Sequence, residues 1–207
     1  MTSVGSASGE LSRWFLKGWT RRQALNSPVA LNEQFLTELM LQGRQYTDFG
    51  HELIEDLGFR TAMWNGKEPG VSLRVGVGRF GKGPGSVSNN VVVDIGTRVD
   101  DRESLFELGV AEQVMGAVVA SWDPDWATWN NRQVRDSQEV AALGLSAQVG
   151  WLTYLSAPRA KLAKIHDAQP MGPGVLVVAA DKAEDVDAER VIGLHRTLRR
   201  ALRATPL

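Results

Sequence analysis

The sequence predicts an α+β fold, in the form of a single layered domain with a mixed or mainly antiparallel sheet packed by helices. Two β-branched stretches flank a glycine-rich segment as in a hairpin, and two long helical patterns lie far apart along the chain. Strand and helix patterns interleave without the regular alternation of a doubly wound sheet. A chain of 207 residues supports one substantial core. We therefore predict one domain over 13–207 after a flexible leader over 1–12.

The first predicted elements are a strand and a helix. Arg13–Trp19 mixes aromatic and basic residues without helical spacing, which favours a strand. Asn26 or Ser27 can cap a helix whose first turn begins at Pro28 and which ends at Gly43. The predicted buried face of this helix consists of Leu31, Phe35, Leu39 and Met40.

A glycine-rich segment separates two predicted strands, Val71–Val77 and Val91–Ile95. Gly76–Gly81 spells GxGxxG, which in a dinucleotide-binding fold must open a helix. Here it leads into Lys82–Gly85, which cannot start an amphipathic helix and lacks the Ser or Thr of a phosphate-binding loop. We interpret Gly78–Gly85 as the connection of a β-hairpin.

Two further helices and two further strands are predicted in the second half of the chain. A cap at Asp100 opens a helix over Asp101–Ser121, and the final helix covers Asp187–Ala204. Val149–Leu155 and Val175–Val178 have the composition of buried strands. The predicted buried stripes are Phe106, Val110, Val114 and Val118 in the first helix and Val191, Leu194, Leu198 and Leu202 in the last.

The composition excludes several classes of function. The formal net charge of −1 gives the molecule no long-range field toward nucleic acid or anionic lipid. Zero cysteines exclude disulfides, thiolate metal sites and a cysteine nucleophile. The chain has no continuous apolar segment suited to a signal peptide or a membrane span. We expect a cytoplasmic protein without a membrane partner.

Two sets of residues offer possible catalytic chemistry. Asp123 and Asp125 flank a proline and can be drawn as ligands of a divalent metal, but the ordinary chemistry of a turn explains them better. His51, His166 and His195 lie far apart, and no nucleophile elbow accompanies them. We interpret these histidines as surface or satisfied polar residues, and we expect no catalytic site, metal or cofactor.

A basic cluster lies at the end of the last predicted helix. Cations in the last turns complement the helix dipole, and no aromatic residues are interleaved for stacking on bases. We therefore interpret the cluster as a solvated face and expect no direct nucleic-acid contact. Its members are Arg196, Arg199, Arg200 and Arg203.

Tryptophan is the unusual feature of the composition, with 7 in the chain. Three of them alternate with acidic residues in one segment, and tryptophan is enriched at the energetic centres of protein interfaces. The alternative is that these rings cover the end of the core. Trp151 and Tyr154 are predicted to belong to the core. The predicted partner-binding residues are Trp122, Asp123, Asp125, Trp126 and Trp129.

The chain resembles the immunity proteins of bacterial polymorphic toxin systems, in particular the immunity protein 52 family. The resemblance spans most of the chain, from Arg13–Arg22 through the helix at Ser27–Leu41 to the last strand. Its most recognisable parts are Trp122–Ala127, Gly150–Ser156 and Gly174–Val178.

The resemblance implies a small α+β protein that binds a cognate toxin and prevents self-intoxication. It further implies a type VI secretion effector with a restriction-endonuclease-like nuclease domain as the partner. The simplest hypothesis for the mechanism is stoichiometric occlusion of this toxin. An acidic and aromatic segment suits a basic nuclease surface. Two alternatives stay open at this point, a metal-dependent hydrolase built on Asp123 and Asp125 and a nucleic-acid-binding adaptor that uses the final arginines.

Overall fold

The computed structural model confirms the α+β class. Its described residues contain six α helices and eight strands, and the strands form two antiparallel sheets of four strands each. The residues that the structure describes are 8–68, 70–79, 89–96, 104–140, 147–163, 165 and 167–203.

The chain divides into two compact units, an amino-terminal unit over Gly9–Asp100 and a carboxy-terminal unit over Asp101–Leu207 with Met1–Ser8. The prediction of one domain over 13–207 stays a prediction.

The flexible leader predicted over 1–12 also stays a prediction. Residues 1–7 lie outside the described residues. Gly9–Leu11 forms a 3-10 turn, and Leu11 is buried in the amino-terminal unit.

The amino-terminal unit is a four-stranded antiparallel sheet with two helices. Its sheet has the order β1-β2-β3-β4, and Val75 of the third strand lies opposite Val91 of the fourth. The predicted hairpin is thereby confirmed, while residues 80–88 of its glycine-rich connection lie outside the described residues. The elements are β1 (Phe15–Leu16), α1 (Arg21–Leu25), α2 (Glu33–Gln42), β2 (Phe59–Trp64), β3 (Ser72–Val77) and β4 (Asn90–Asp94).

The predicted start of the first long helix, at Pro28, is wrong. Pro28 forms an isolated antiparallel bridge with Phe15, and α2 begins only after Asn32. The Asn32 side chain accepts a hydrogen bond from the Phe35 amide at 2.9 Å, so Asn32 is the cap that fixes the helix start. Leu31 precedes this cap and is 70% exposed instead of buried.

Strand β2 was not predicted, although it lies between β1 and β3 in the sheet. Its sequence, Phe59–Trp64, lacks a clear alternation of apolar and polar residues. Two glycines allow neighbouring backbone to pack closely against this strand and its partner. A Cβ atom on Gly43 would lie 2.1 Å from the Arg60 carbonyl oxygen, and one on Gly58, whose φ is +60°, would lie 2.2 Å from the Val77 carbonyl oxygen. The glycine that ends α2 thus also allows the chain to approach β2.

The carboxy-terminal unit contains the second sheet, with the order β5-β6-β8-β7, and four helices. The predicted strands at 149–155 and 175–178 are confirmed as β6 and β8, which occupy the two central positions. The elements are α3 (Leu108–Trp122), β5 (Trp126–Trp129), α4 (Arg132–Val140), β6 (Leu152–Leu155), α5 (Ala157–Leu162), β7 (Gln169–Met171), β8 (Gly174–Val178) and α6 (Ala188–Arg203).

Both long helices predicted in this unit are present. Helix α6 buries Val191, Leu198 and Leu202 as predicted. Helix α3 begins at Leu108 and not at Asp101, because residues 104–106 form a 3-10 turn; the predicted Asp100 cap lies outside the described residues. Of the predicted stripe only Val114 is fully buried, and Phe106, Val110 and Val118 are half-buried. The buried face of α3 consists of Ala111, Val114, Met115, Ala117 and Val119.

A buried polar network connects α4 and α6. The Gln138 amide donates to the Val149 carbonyl at 2.8 Å, and its oxygen accepts from the Val149 amide at 2.9 Å. The same oxygen lies 2.9 Å from Nδ1 of His195. An amide oxygen can only accept, so this ring nitrogen carries the proton. The network fixes the chain just before β6.

None of the helices in the described ranges is both long enough and apolar enough to cross a bilayer.

Candidate partner-binding surface

The acidic aromatic segment begins where α3 ends. Trp122 is the last residue of the helix, and its side chain is 43% exposed. Asp123 caps the helix in the left-handed conformation, with φ at 42° and ψ at 57°, and its amide donates to the Val119 carbonyl at 3.0 Å. Aspartate tolerates this conformation better than most residues. The turn therefore leaves Trp122 and Asp123 on the surface of the unit.

Asp125 is a structural residue as well as a candidate contact. Its carboxylate forms an ion pair with Arg159, whose side chain is only 5% exposed, and it accepts a hydrogen bond from the Ser156 hydroxyl at 3.1 Å. Arg159 also donates to the Ala201 carbonyl in α6. Asp125 and Arg159 thus join β5, α5 and α6. Because Arg159 balances Asp125, Asp123 is the one acid of the predicted contact set that has no ion pair within the described residues.

Trp126 and Trp129 are the first and last residues of the edge strand β5, opposite Leu155 and Leu152 of β6. Both rings are half-buried against the core of the carboxy-terminal unit. Side chains three positions apart on a strand point to opposite faces of the sheet. These two rings therefore cannot form one continuous patch on a single face.

The prediction that Trp151 and Tyr154 belong to the core is confirmed. Trp151 stacks edge-on against Trp129, with ring centroids 6.2 Å apart, and donates to the Ala180 carbonyl at 2.7 Å. Tyr154 is fully buried. Burial raises the pKa of its hydroxyl, and the nearby carboxylates of Asp123 and Asp125 raise it further.

The candidate catalytic residues do not form a site in the described parts of the chain. The Asp125 carboxylate is held by Arg159 and Ser156 and is thus occupied by the protein itself. Within the described ranges, no group of three or more His, Asp or Glu side chains is arranged to hold a metal ion.

The histidines and the basic helix end match their sequence interpretation where the structure describes them. His51 is exposed and stacks on Tyr46, His195 is buried and bonded to Gln138, and His166 lies outside the described residues. On α6, three arginines of the cluster are exposed; the side chain of the fourth, Arg203, is not described. The exposed ones are Arg196, Arg199 and Arg200.

A second aromatic region, in the amino-terminal unit, was missed from the sequence. The predicted strand Arg13–Trp19 forms only at Phe15–Leu16, and the chain then leaves the sheet. Trp19 is 98% exposed and stands at the rim of a cleft of about 330 Å³. A signal was present: Thr20 and Gln23 have the spacing of a capping box, which places a helix start directly after Trp19.

The chain thus presents two regions with exposed tryptophan, the residue type most typical of protein-binding surfaces. A model of the immunity protein 52 family matches residues 1–168, which is more than half of the chain and includes both regions. The chain therefore belongs to the immunity protein 52 family. This membership implies an immunity protein that binds a cognate toxin, and it suggests a role without catalysis. No curated protein matches the chain significantly.

Proposed function

We propose that this protein neutralises a type VI secretion effector with a restriction-endonuclease-like nuclease domain by binding it stoichiometrically in the cytoplasm of the producing cell. The observation that supports the proposal is the family match over residues 1–168. A nuclease damages the DNA of its producer before export, so the antidote must act in the same compartment.

Neutralisation by occlusion requires a high affinity for the toxin. A single uninhibited nuclease molecule can be lethal, so nearly all of the toxin must be bound at cellular concentrations. This requires a dissociation constant in the nanomolar range or below, or about −12 kcal/mol of binding free energy. A few well-placed aromatic side chains with a complementary charge can supply most of such an energy.

We propose that the acidic aromatic segment, Trp122, Asp123, Asp125, Trp126 and Trp129, forms a toxin-binding region. The exposed ring and carboxylate at the end of α3 supply the direct contact, and the left-handed turn presents them together. The ion pair to α5 and the half-buried rings of β5 hold that turn in place. A surface that is ordered before binding loses less entropy when the partner docks.

The proposal is tested by co-expressing the neighbouring candidate toxin with this protein in a bacterial host. We expect survival only with the immunity protein, and recovery of a stable complex from the lysate. Trp122→Ala should raise the dissociation constant about tenfold or more. Leu162→Ala is the matched control, because Leu162 is a similarly exposed apolar residue of the same unit.

The proposal fails if the toxin kills cells that contain an excess of the intact protein and if no complex is recovered. If the complex forms but Trp122→Ala binds like the wild type, the immunity role stands and the proposed contact at the end of α3 is wrong.

A further inference from the structure

The amino-terminal unit carries a cleft with an exposed tryptophan at its rim. The cleft has a volume of about 330 Å³, which is large enough for one or two side chains. Its apolar surface comes mainly from the half-buried ring of Trp64, with Ala24 and Val71 buried behind it, while Trp19 stands 98% exposed at its edge. An exposed aromatic ring beside an apolar cleft is typical of an interaction site, whereas isolated exposed apolar residues are normal.

The backbone holds Trp19 firmly although its ring is free. On one side, Gly18 approaches α1 so closely that a Cβ atom there would lie 2.8 Å from the Ala24 amide nitrogen. On the other side, Thr20 caps α1, and its hydroxyl accepts from the Gln23 amide at 3.2 Å. A ring presented by a fixed turn loses little entropy on binding. Trp19 is thus positioned to contact a partner and does not pack in the core.

Among the described residues that line the cleft, two are cations and none is an acid. Lys17 and Arg21 line it, and Arg13–Arg22 contains four cations and no acid. The ion pair from Arg21 to Glu68, at 3.4 Å, joins two exposed side chains. Such a pair contributes little to stability and is easily exchanged for another carboxylate. The cleft therefore fits a ligand that offers both a carboxylate and an apolar side chain.

We infer that this cleft, with Lys17, Trp19 and Arg21 at its rim, docks an acidic segment of the cognate toxin that inserts an apolar side chain against Trp64. The inference rests on the proposed function, because the partner is the same toxin. The cleft is a separate contact from the acidic segment after α3 and has the opposite charge.

A protein segment fits this cleft better than a nucleic acid does. Single-stranded nucleic acid is held by a groove of cations that follows the phosphates and by several stacking rings. Here two cations line a single cleft with an apolar wall, on a chain with a net charge of −1. The test nevertheless includes a DNA probe.

The experiment measures binding of the purified toxin domain encoded by the neighbouring gene to the full-length protein and its variants. We expect Trp19→Ala to raise the dissociation constant about 30-fold. Lys17→Glu and Arg21→Glu should slow association and reduce its dependence on salt. The melting temperature of Trp19→Ala should equal that of the wild type, since the ring contributes little to the fold.

Matched controls separate these effects from general ones. Phe49→Ala removes an aromatic ring that is 92% exposed in the same unit but does not line the cleft. Lys182→Glu changes the net charge equally from an exposed position in the carboxy-terminal unit. Both controls should bind the toxin like the wild type.

If the wild type binds the toxin and the three cleft variants bind equally well, the inference is wrong while the proposed function stands. If the wild type itself does not bind, the proposed function fails. The inference is also wrong if the controls weaken binding as much as Trp19→Ala does. It is equally wrong if a short single-stranded DNA binds the wild type and is lost in Trp19→Ala while toxin binding is unchanged.

Discussion

Trp19 and Trp129 lie in segments that both mix tryptophan with charged residues, yet their rings have different surroundings. Trp129 belongs to a strand, pairs with Leu152 across the sheet and contacts Trp151 edge to face. Trp19 belongs to a short turn between a glycine and a helix cap, and its ring is almost fully exposed. Successive side chains of a strand point to alternate faces of the sheet, where a ring can pack on the core. Trp19 lies outside the sheet, between β1 and the cap of α1. The Trp129 ring therefore stabilises the fold, whereas the Trp19 ring is available to a partner.

The largest effect on stability should come from replacing Arg159, whose side chain forms an ion pair with Asp125 of the acidic aromatic segment. Arg159→Met keeps the apolar stem but removes the charge that balances Asp125 and the bond to the Ala201 carbonyl. We expect the free energy of unfolding to fall by about 3 kcal/mol, measured by urea denaturation. Lys161→Met, at an exposed position of the same helix, should change it by less than about 0.5 kcal/mol. Equal stability of Arg159→Met and the wild type would refute a structural role for this ion pair.

The difference between the Trp129 and Trp19 rings is tested by truncating each ring to alanine. Trp129→Ala removes a half-buried ring and its contact with Trp151, so we expect a loss of about 2 kcal/mol in the free energy of unfolding. Trp19→Ala should change that free energy by less than about 0.5 kcal/mol. Thermal denaturation of the two variants in the same buffer provides the measurement. Equal losses would show that both rings belong to the core and would remove the distinction between the regions.

A smaller effect should appear at high pH, through Tyr154. Burial and two carboxylates raise the pKa of its hydroxyl in the folded protein, so the folded state disfavours the phenolate. The stability from this group is complete below the unfolded pKa of about 10 and is lost as pH rises through the higher folded value. Within the described residues, the hydroxyl has no hydrogen-bond partner.

Tyr154→Phe should therefore lose this component of alkaline destabilisation. At neutral pH it should unfold like the wild type or be more stable by up to about 1 kcal/mol. Tyr46→Phe, at an exposed tyrosine, should keep the alkaline loss. Unfolding curves between pH 8 and about 11, around the ordinary tyrosine pKa, provide the measurement. A marked destabilisation of Tyr154→Phe at neutral pH would contradict a hydroxyl without a partner.

The sequence predicted those elements whose pattern is local. The hairpin of β3 and β4, strand β8 and helix α6 each have a periodicity or a run of β-branched residues that is complete within the segment. Strand β2 was missed because Phe59–Trp64 lacks a clear alternation of apolar and polar residues, although its partner β3 follows closely in the chain. Strand β5 was missed because its four residues form no recognisable pattern and its partner β6 lies further along the chain. The start of α2 was placed too early because Pro28 and Asn32 both offer helix-start signals, and only the bridge to Phe15 decides between them.

The candidate site, too, could be predicted from the sequence only in part. The sequence identified the residues after α3, but it could not show that the Asp125 charge is balanced by Arg159, 34 positions further on. Nor could it show that Trp126 and Trp129 lie on opposite faces, since that requires the segment to be recognised as a strand. Trp19 was assigned to a strand because aromatic composition outweighed the capping signal of Thr20.

The most direct test of stoichiometric neutralisation is a titration of the purified toxin's nuclease activity with the immunity protein, alongside a calorimetric measurement of the complex. We expect activity to fall linearly with added protein and to vanish at a fixed molar ratio, with a dissociation constant in the nanomolar range or below. Residual activity at a large excess of the immunity protein, or the absence of any heat of binding, would contradict neutralisation by stoichiometric binding.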